Sequence, residues 1–182
     1  MKNREISIIS GTLKGRRLKV LDQPGVRPTS SRTRETVFNW LQNLILGKNC
    51  LDLFAGTGAL GFECVSRGAK SCVLVDNNPI ICEEIKEKTS HFSCFNVSVI
   101  KSDAMKFLVN NDELFDIVFL DPPFGTNLLR DILKVMKKNT LKRDSVIYVE
   151  GQRGLSSPEG WTVLKKSYSR NVEYMLLEQT SK

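Results

Sequence analysis

A single histidine, His91, stands among the 182 residues. That leaves no material for a His-rich metal site and makes a His-based triad a poor fit, so no metal is expected. Cysteine is scarce and odd in number. Cys50, Cys64, Cys72, Cys82 and Cys94 form no C-x-x-C pair, which argues for reduced thiols used as small core residues in a cytoplasmic protein. No apolar run is long enough for a membrane span. The opening MKNREISIIS lacks the apolar stretch of a signal peptide, so no membrane partner is expected. Internal repeats and low-complexity tracts are also missing.

Acidic residues are nearly absent from the first 34 positions. Nine Lys or Arg there face only Glu5 and Asp22, an excess equal to the whole net charge of +7. The other 148 residues balance, with 18 basic and 18 acidic side chains. A basic arm on a neutral body is the electrostatic footprint of a polyanion partner, most simply nucleic acid. Lys14, Arg16, Arg17, Arg27, Arg32 and Arg34 are the candidate contacts. The length fits one domain, with residues 1–31 as a basic N-terminal extension and 32–182 as the core.

Within that core, CLDLFAGTGALGFE (50–63) reads as a buried strand, a glycine turn and the start of a helix. Gly56, Gly58 and Gly61 match the G-x-G-x-x-G spacing of a nucleotide-binding turn. The first two let the chain turn sharply and approach a ligand, and the third lets helix and strand pack closely.

Upstream, Ile6 to Ser10 and Arg16 to Leu21 predict a β-hairpin around Gly11–Gly15. Thr29, Ser30 and Ser31 offer N-caps for a helix running to about Leu46, with Val37, Leu41 and Leu44 on its apolar stripe. Arg32 and Arg34 fall in its first turn, against the macrodipole, which suggests placement for a ligand or phosphate. Downstream, strands are expected at 50–54, 72–75, 97–101, 115–120 and 145–149. They alternate with helices at 59–67, 79–90, 103–110 and 127–138. Such alternation predicts an α/β fold with a mostly parallel sheet and helices on both faces. Two further strands, Trp161 to Ser167 and Val172 to Glu178, would end the sheet antiparallel.

Ligands of an open α/β sheet bind beyond the carboxyl ends of its strands. Four consecutive strand ends carry polar or special residues here: Asp52 with the glycine turn, Asp76, Ser102-Asp103-Ala104, and Asp121-Pro122-Pro123-Phe124. Asp76 lies 20 residues past Gly56, where a carboxylate can accept ribose hydroxyls. Asp103 is equally readable as a helix cap. Two prolines after a buried strand remove two backbone donors and hold the chain extended. A carboxylate, a carbonyl and an aromatic face then converge, which suits a planar base bearing an exocyclic amine. The glycine turn and Asp76 alone would also suit an NAD-dependent oxidoreductase.

Motif by motif, LDLFAGTGALG, LVD, SDA and DPPF resemble the class I S-adenosylmethionine-dependent methyltransferases, with their Rossmann-like seven-stranded sheet. The pieces ISGTLKGRRL, PGVRPTSSRTRETVFNWL, LDLFAGTGALGFECVSRGA, FLDPPF and IYVE are similar, over nearly the whole chain, to bacterial 16S rRNA guanine-N2 methyltransferases of the RsmD type. The sequence departs from that pattern at Ser31, where Asp is usual, and at Thr33, where an aliphatic residue is usual. DNA adenine-N6 methyltransferases share a DPPF-like motif and are the alternative.

The resemblance implies S-adenosylmethionine as cofactor. Asp52, Gly56 and Gly58 would shape the methionine end of its pocket, and Phe54, Ala55 and Asn77 would also bind the cofactor. Asp76 would hold the ribose, and Asp103 and Ala104 the adenine. Asp121, Pro122, Pro123 and Phe124 would hold the target guanine. It further implies 16S rRNA as partner, within the assembled small ribosomal subunit, and a monomeric enzyme.

Overall fold

The structure, a computed structural model, describes residues 4–21, 23, 29–125 and 127–180. Arg27 lies outside the described residues. The N-terminal segment forms a short antiparallel hairpin, β1 (Glu5–Ser7) with β2 (Arg17–Lys19), and α1 (Ser31–Leu41) follows. The alternation then runs β3 (Asn49–Asp52), α2 (Ala59–Ser66), β4 (Ser71–Asp76), α3 (Pro79–His91), β5 (Val97–Lys101), α4 (Ala104–Asn110), β6 (Phe115–Leu120) and α5 (Leu128–Asn139). It ends in β7 (Leu141–Gln152), β8 (Trp161–Ser169) and β9 (Val172–Gln179).

These elements build a seven-stranded sheet in the order β5-β4-β3-β6-β7-β9-β8. The five strands β3 to β7 pair in parallel, and β9 pairs antiparallel with β7 and β8. The chain order reverses at β3, which lies between β4 and β6 and so marks the topological switch point.

Strand alternation divides the core into two layers. Cys50, Leu74, Phe119 and Tyr148 face one side, where α1, α2 and α3 supply Phe38, Phe62 and Ile85. Leu51, Val75, Val118 and Val149 face the other, where α4 and α5 supply Phe107, Ile132 and Met136. Helices thus cover both faces, as the near-continuous apolar strands require.

Local chemistry explains most boundaries. Ser30 caps α1 by accepting from the Thr33 amide, Asn78 caps α3 by accepting from Ile80, and Pro79 takes the first helical position. Three expectations change. Helix α1 stops at Leu41, not Leu46, because the Leu44 amide turns back to the Leu41 carbonyl (2.8 Å), leaving Leu44 and Leu46 exposed. β7 extends well past 145–149, since it pairs with Phe115 at one end and Val172 at the other. The hairpin strands are shorter than their apolar patterns predicted. No described helix is long and apolar enough to cross a membrane.

Candidate active site

The carboxyl ends of the parallel strands open onto a cleft of about 590 Å³. Register explains why its acids gather there. Cys50, Cys72, Ile117 and Val146 all face the α1–α3 layer, and the same alternation carries Asp52, Asp76, Asp121 and Glu150 to that side. Asp52 pairs with Leu74 and with Phe119, so Asp76 and Asp121 each lie two residues beyond it. Leu120 pairs with Val149, which sets Asp121 and Glu150 level with one another. Four adjacent parallel strands therefore bring four carboxylates to this edge of the sheet, with Asp52 recessed by about 7 Å.

That recess has an electrostatic cost. Asp52 is 1% exposed, and among the described residues neither carboxyl oxygen has a hydrogen-bond partner. Burial pushes its pKa up to about 7; the nearby Phe54 and Gly61 amides temper the rise and the Asp76 charge adds to it. Asp76, by contrast, is well solvated by the backbone. Its oxygens accept from the amides of Gly56 (3.0 Å) and Asn78 (2.9 Å), fixing the glycine turn to the end of β4. Each oxygen keeps a second lone pair for a ligand hydroxyl.

Two of the glycines are needed for their geometry. Gly58 adopts φ +75° at the N-terminus of α2. A Cβ on Gly61 would stand 2.3 Å from the Leu74 side chain, so glycine there sets how closely α2 approaches β4. Asp103 caps α4 through the Lys106 amide (3.1 Å), and it also lines the cleft. Both readings of that residue hold at once.

Most sequence-predicted site residues come together. Phe54, Gly56, Asp76, Asn77, Asp103 and Ala104 line the cleft, as do all four residues from Asp121 to Phe124. Asp52 and Ala55 line a small neighbouring cavity of about 30 Å³ that also touches Gly56 and Asp121. Gly58 lines neither; it acts through the backbone. Leu53, Ile81, Leu128 and Glu150 also line the cleft without having been singled out. Only Glu150 carried a usable signal, as the polar residue at the end of an apolar strand.

The basic candidates divide. Lys14, Arg16, Arg17 and Arg32 are exposed. Arg34 is not: it is fully buried, bonded to the Ser7 carbonyl (3.0 Å) and 3.7 Å from Glu63. Its reading as a nucleic-acid contact is therefore corrected, and the acid on α2 answers the charge that opposes the helix dipole. Ser31, one of the two departing residues, also accepts from Arg34 (3.4 Å). The hairpin loop rests on Ser66 and the Arg16 guanidinium on Phe92, at the far ends of α2 and α3. Both helices start on the cleft side, so the hairpin loop and Arg16 pack at their opposite ends.

This arrangement of switch-point cleft, glycine turn and DPPF strand end has close counterparts. Residues 6–178 match the family described as conserved hypothetical protein 95. The chain belongs to that family. Ribosomal RNA small subunit methyltransferase D of Haemophilus influenzae is 39% identical over 181 residues, covering 96% of this chain and 94% of that protein. The protein of the same name from Escherichia coli K12 is 37% identical, covering 96% and 90%. Among solved structures, Escherichia coli yhhF superposes with a TM-score of 0.87 at 35% identity, over 98% of this chain and all of that one. A Haemophilus influenzae structure, HI0767, gives 0.83 at 36% identity over the same shares. The sheet is thus the Rossmann-like class I methyltransferase fold, and this member of the conserved hypothetical protein 95 family is a methyltransferase.

Proposed function

We propose that the protein transfers a methyl group from S-adenosylmethionine to the exocyclic N2 amine of a guanine in 16S rRNA, within the small ribosomal subunit in the cytoplasm. One observation carries the reading. The DPPF strand end lies level with Glu150 in the same cleft as Asp76 and the glycine turn. A site for an aromatic amine thus adjoins one for a nucleoside, and the curated relatives are named as small-subunit rRNA methyltransferases.

The residues present fit the cofactor. Asp76 offers acceptors for ribose hydroxyls, Phe54 and Ile81 supply apolar walls, and the unpartnered carboxyl of Asp52 suits a cationic amino group. When bound, the cofactor supplies an activated methyl on sulfur, so the chain needs little covalent chemistry.

Its own residues hold and orient. Asp121 accepts an N–H of the target amine, and the Pro122 carbonyl takes the other, aiming the nitrogen lone pair into the cleft. Phe124 stacks on the base ring. Asp121 need not be a strong base, because the amine becomes acidic only as the new bond forms, and the carboxylate then receives that proton. Positioning of this kind supplies up to roughly 7–11 kcal/mol in favourable cases. A paired base would first be flipped out of its helix. The exposed cations Lys14, Arg16, Arg17 and Arg32, with Arg27, would steer and hold the RNA backbone. We place these functions in one monomeric domain, with residues 1–31 as its RNA-contacting extension.

The deciding experiment is transfer of a tritiated methyl group to naked 16S rRNA and to small subunits from cells lacking the enzyme, followed by nucleoside analysis. N2-methylguanosine is expected, with subunits the better substrate. Label in N6-methyladenosine, or NADH binding without S-adenosylmethionine binding, would replace the proposal with one of its rivals.

A further inference from the structure

The DPPF end of β6 suits any aromatic amine, adenine N6 as well as guanine N2, so something else must choose the base. We infer that Glu150 makes that choice, by accepting the N1–H of the target guanine while Asp121 accepts from N2. This rests on the guanine-N2 reading above.

Glu150 lies on β7, one residue past its last pairing with the parallel neighbour β6, and the Leu120–Val149 pairing sets it level with Asp121. Neighbouring strands are about 4.8 Å apart. Two carboxylates therefore stand side by side across the strand ends, both lining the cleft. Guanine brings two adjacent N–H donors, the ring N1–H and the exocyclic N2 amine, a match for two neighbouring acceptors. Adenine brings an amine beside a bare N1 lone pair. That lone pair would face the Glu150 carboxylate, acceptor against acceptor.

The carboxylate is also held for such a task. Glu150 is 5% exposed, and the Tyr148 hydroxyl donates to its Oε2 at 2.7 Å. Tyr148 is itself fully buried, with its ring between those of Phe119 (6.0 Å) and Tyr174 (6.2 Å). Its own burial and the Glu150 and Asp121 charges keep that hydroxyl protonated, so it remains a donor. A fixed acceptor discriminates better than a mobile one, because a mismatched partner cannot be avoided by rotation.

The test uses small subunits reconstituted with either guanine or 2-aminopurine at the modified position. 2-Aminopurine keeps the 2-amine that receives the methyl group but has an unprotonated N1. The wild-type enzyme should prefer guanine by about 100-fold or more in kcat/KM. Glu150→Gln, which can donate to a bare N1 and still accept from Tyr148, should bring that ratio within about 10-fold of unity. Its affinity for S-adenosylhomocysteine, followed by calorimetry, should stay within about 3-fold.

A Glu150→Gln enzyme that loses both substrates equally, with the ratio unchanged, would show a structural role and overturn the assignment. Should that variant not fold, Tyr148→Phe carries the test, since it frees the carboxylate without removing its charge; an unchanged ratio again overturns it. Wild-type enzyme that leaves the guanine subunits unmethylated overturns the parent function instead, and Glu150's role with it.

Discussion

Arg34 of α1 and Glu63 of α2 lie 3.7 Å apart with no side-chain surface exposed on either. Glu63 also accepts from the amides of Ile9 (2.8 Å) and Ser10 (3.0 Å) and from Arg67 Nε (2.8 Å). Ser66, one turn on, accepts from the Leu13 amide and donates to the Ser10 carbonyl. This buried network clamps the hairpin to the helix that begins at the glycine turn. Burial lowers the Arg34 pKa, and the Glu63 charge works against that fall.

Removing one partner strands the other charge in the core. Arg34→Ala and Glu63→Ala should each cost about 3–5 kcal/mol of stability. Urea denaturation of the purified variants measures this. A loss below about 1 kcal/mol would mean that water reaches the network.

Asp52 should make stability fall as pH rises. Its carboxyl has a pKa of about 7 when folded and about 3.9 when unfolded. Below about pH 4 both states are protonated and nothing is lost. Between these values only the folded state holds the proton, so ionising conditions favour unfolding, by on the order of 4 kcal/mol once the pH exceeds the folded value. Asp52→Asn lacks this slope. Its stability advantage over wild type should grow from about pH 4 to about pH 8 in urea titrations; a constant difference would place the carboxyl in water.

Asp121→Ala should lower methyl transfer by about 100-fold or more, since an acceptor that orients the amine is removed. S-adenosylhomocysteine affinity should change by only a few-fold. Single-turnover methylation and calorimetry separate the two, and normal turnover would remove Asp121 from the mechanism.

Replacing Lys14, Arg16, Arg17 and Arg32 together with Ala should weaken RNA binding and flatten its salt dependence. For every phosphate that the variant no longer neutralises, the slope of log K against log salt should become shallower by about 0.7–0.9. Arg17 already pairs with Glu5 at 3.1 Å, an exposed bridge that competes little with phosphate. Filter binding at several salt concentrations gives the slope, and an unchanged one would move the RNA surface elsewhere.

Much of the site was legible because it sits where chain order meets backbone rules. A strand followed by G-x-G-x-x-G, and prolines after another, are local signals, and Asp76, Asp103 and Asp121 each follow a strand that its own apolar residues define. Helix α1 was legible at its start, where Ser30 caps it, and less so at its end, where weak apolar periodicity continued past a turn. Arg34 misled for a physical reason. A buried arginine and a phosphate-binding one look alike in sequence, and the partner that distinguishes them, Glu63, lies 29 residues away.

The sequence by itself determined the alternating α/β elements, the glycine turn and the residues at each strand end, because caps, turns and apolar periods act over a few residues. Only the tertiary structure decided their levels. Strand register recesses Asp52 below Asp76 and Asp121, which is why one carboxyl is buried and raised in pKa while its neighbours face the cleft. Pairing of β6 with β7 brings Glu150 beside Asp121, and the packing of α1 on α2 turns a surface cation into part of the core. Those outcomes depend on which strands and helices become neighbours, a choice made by burial over the whole sheet.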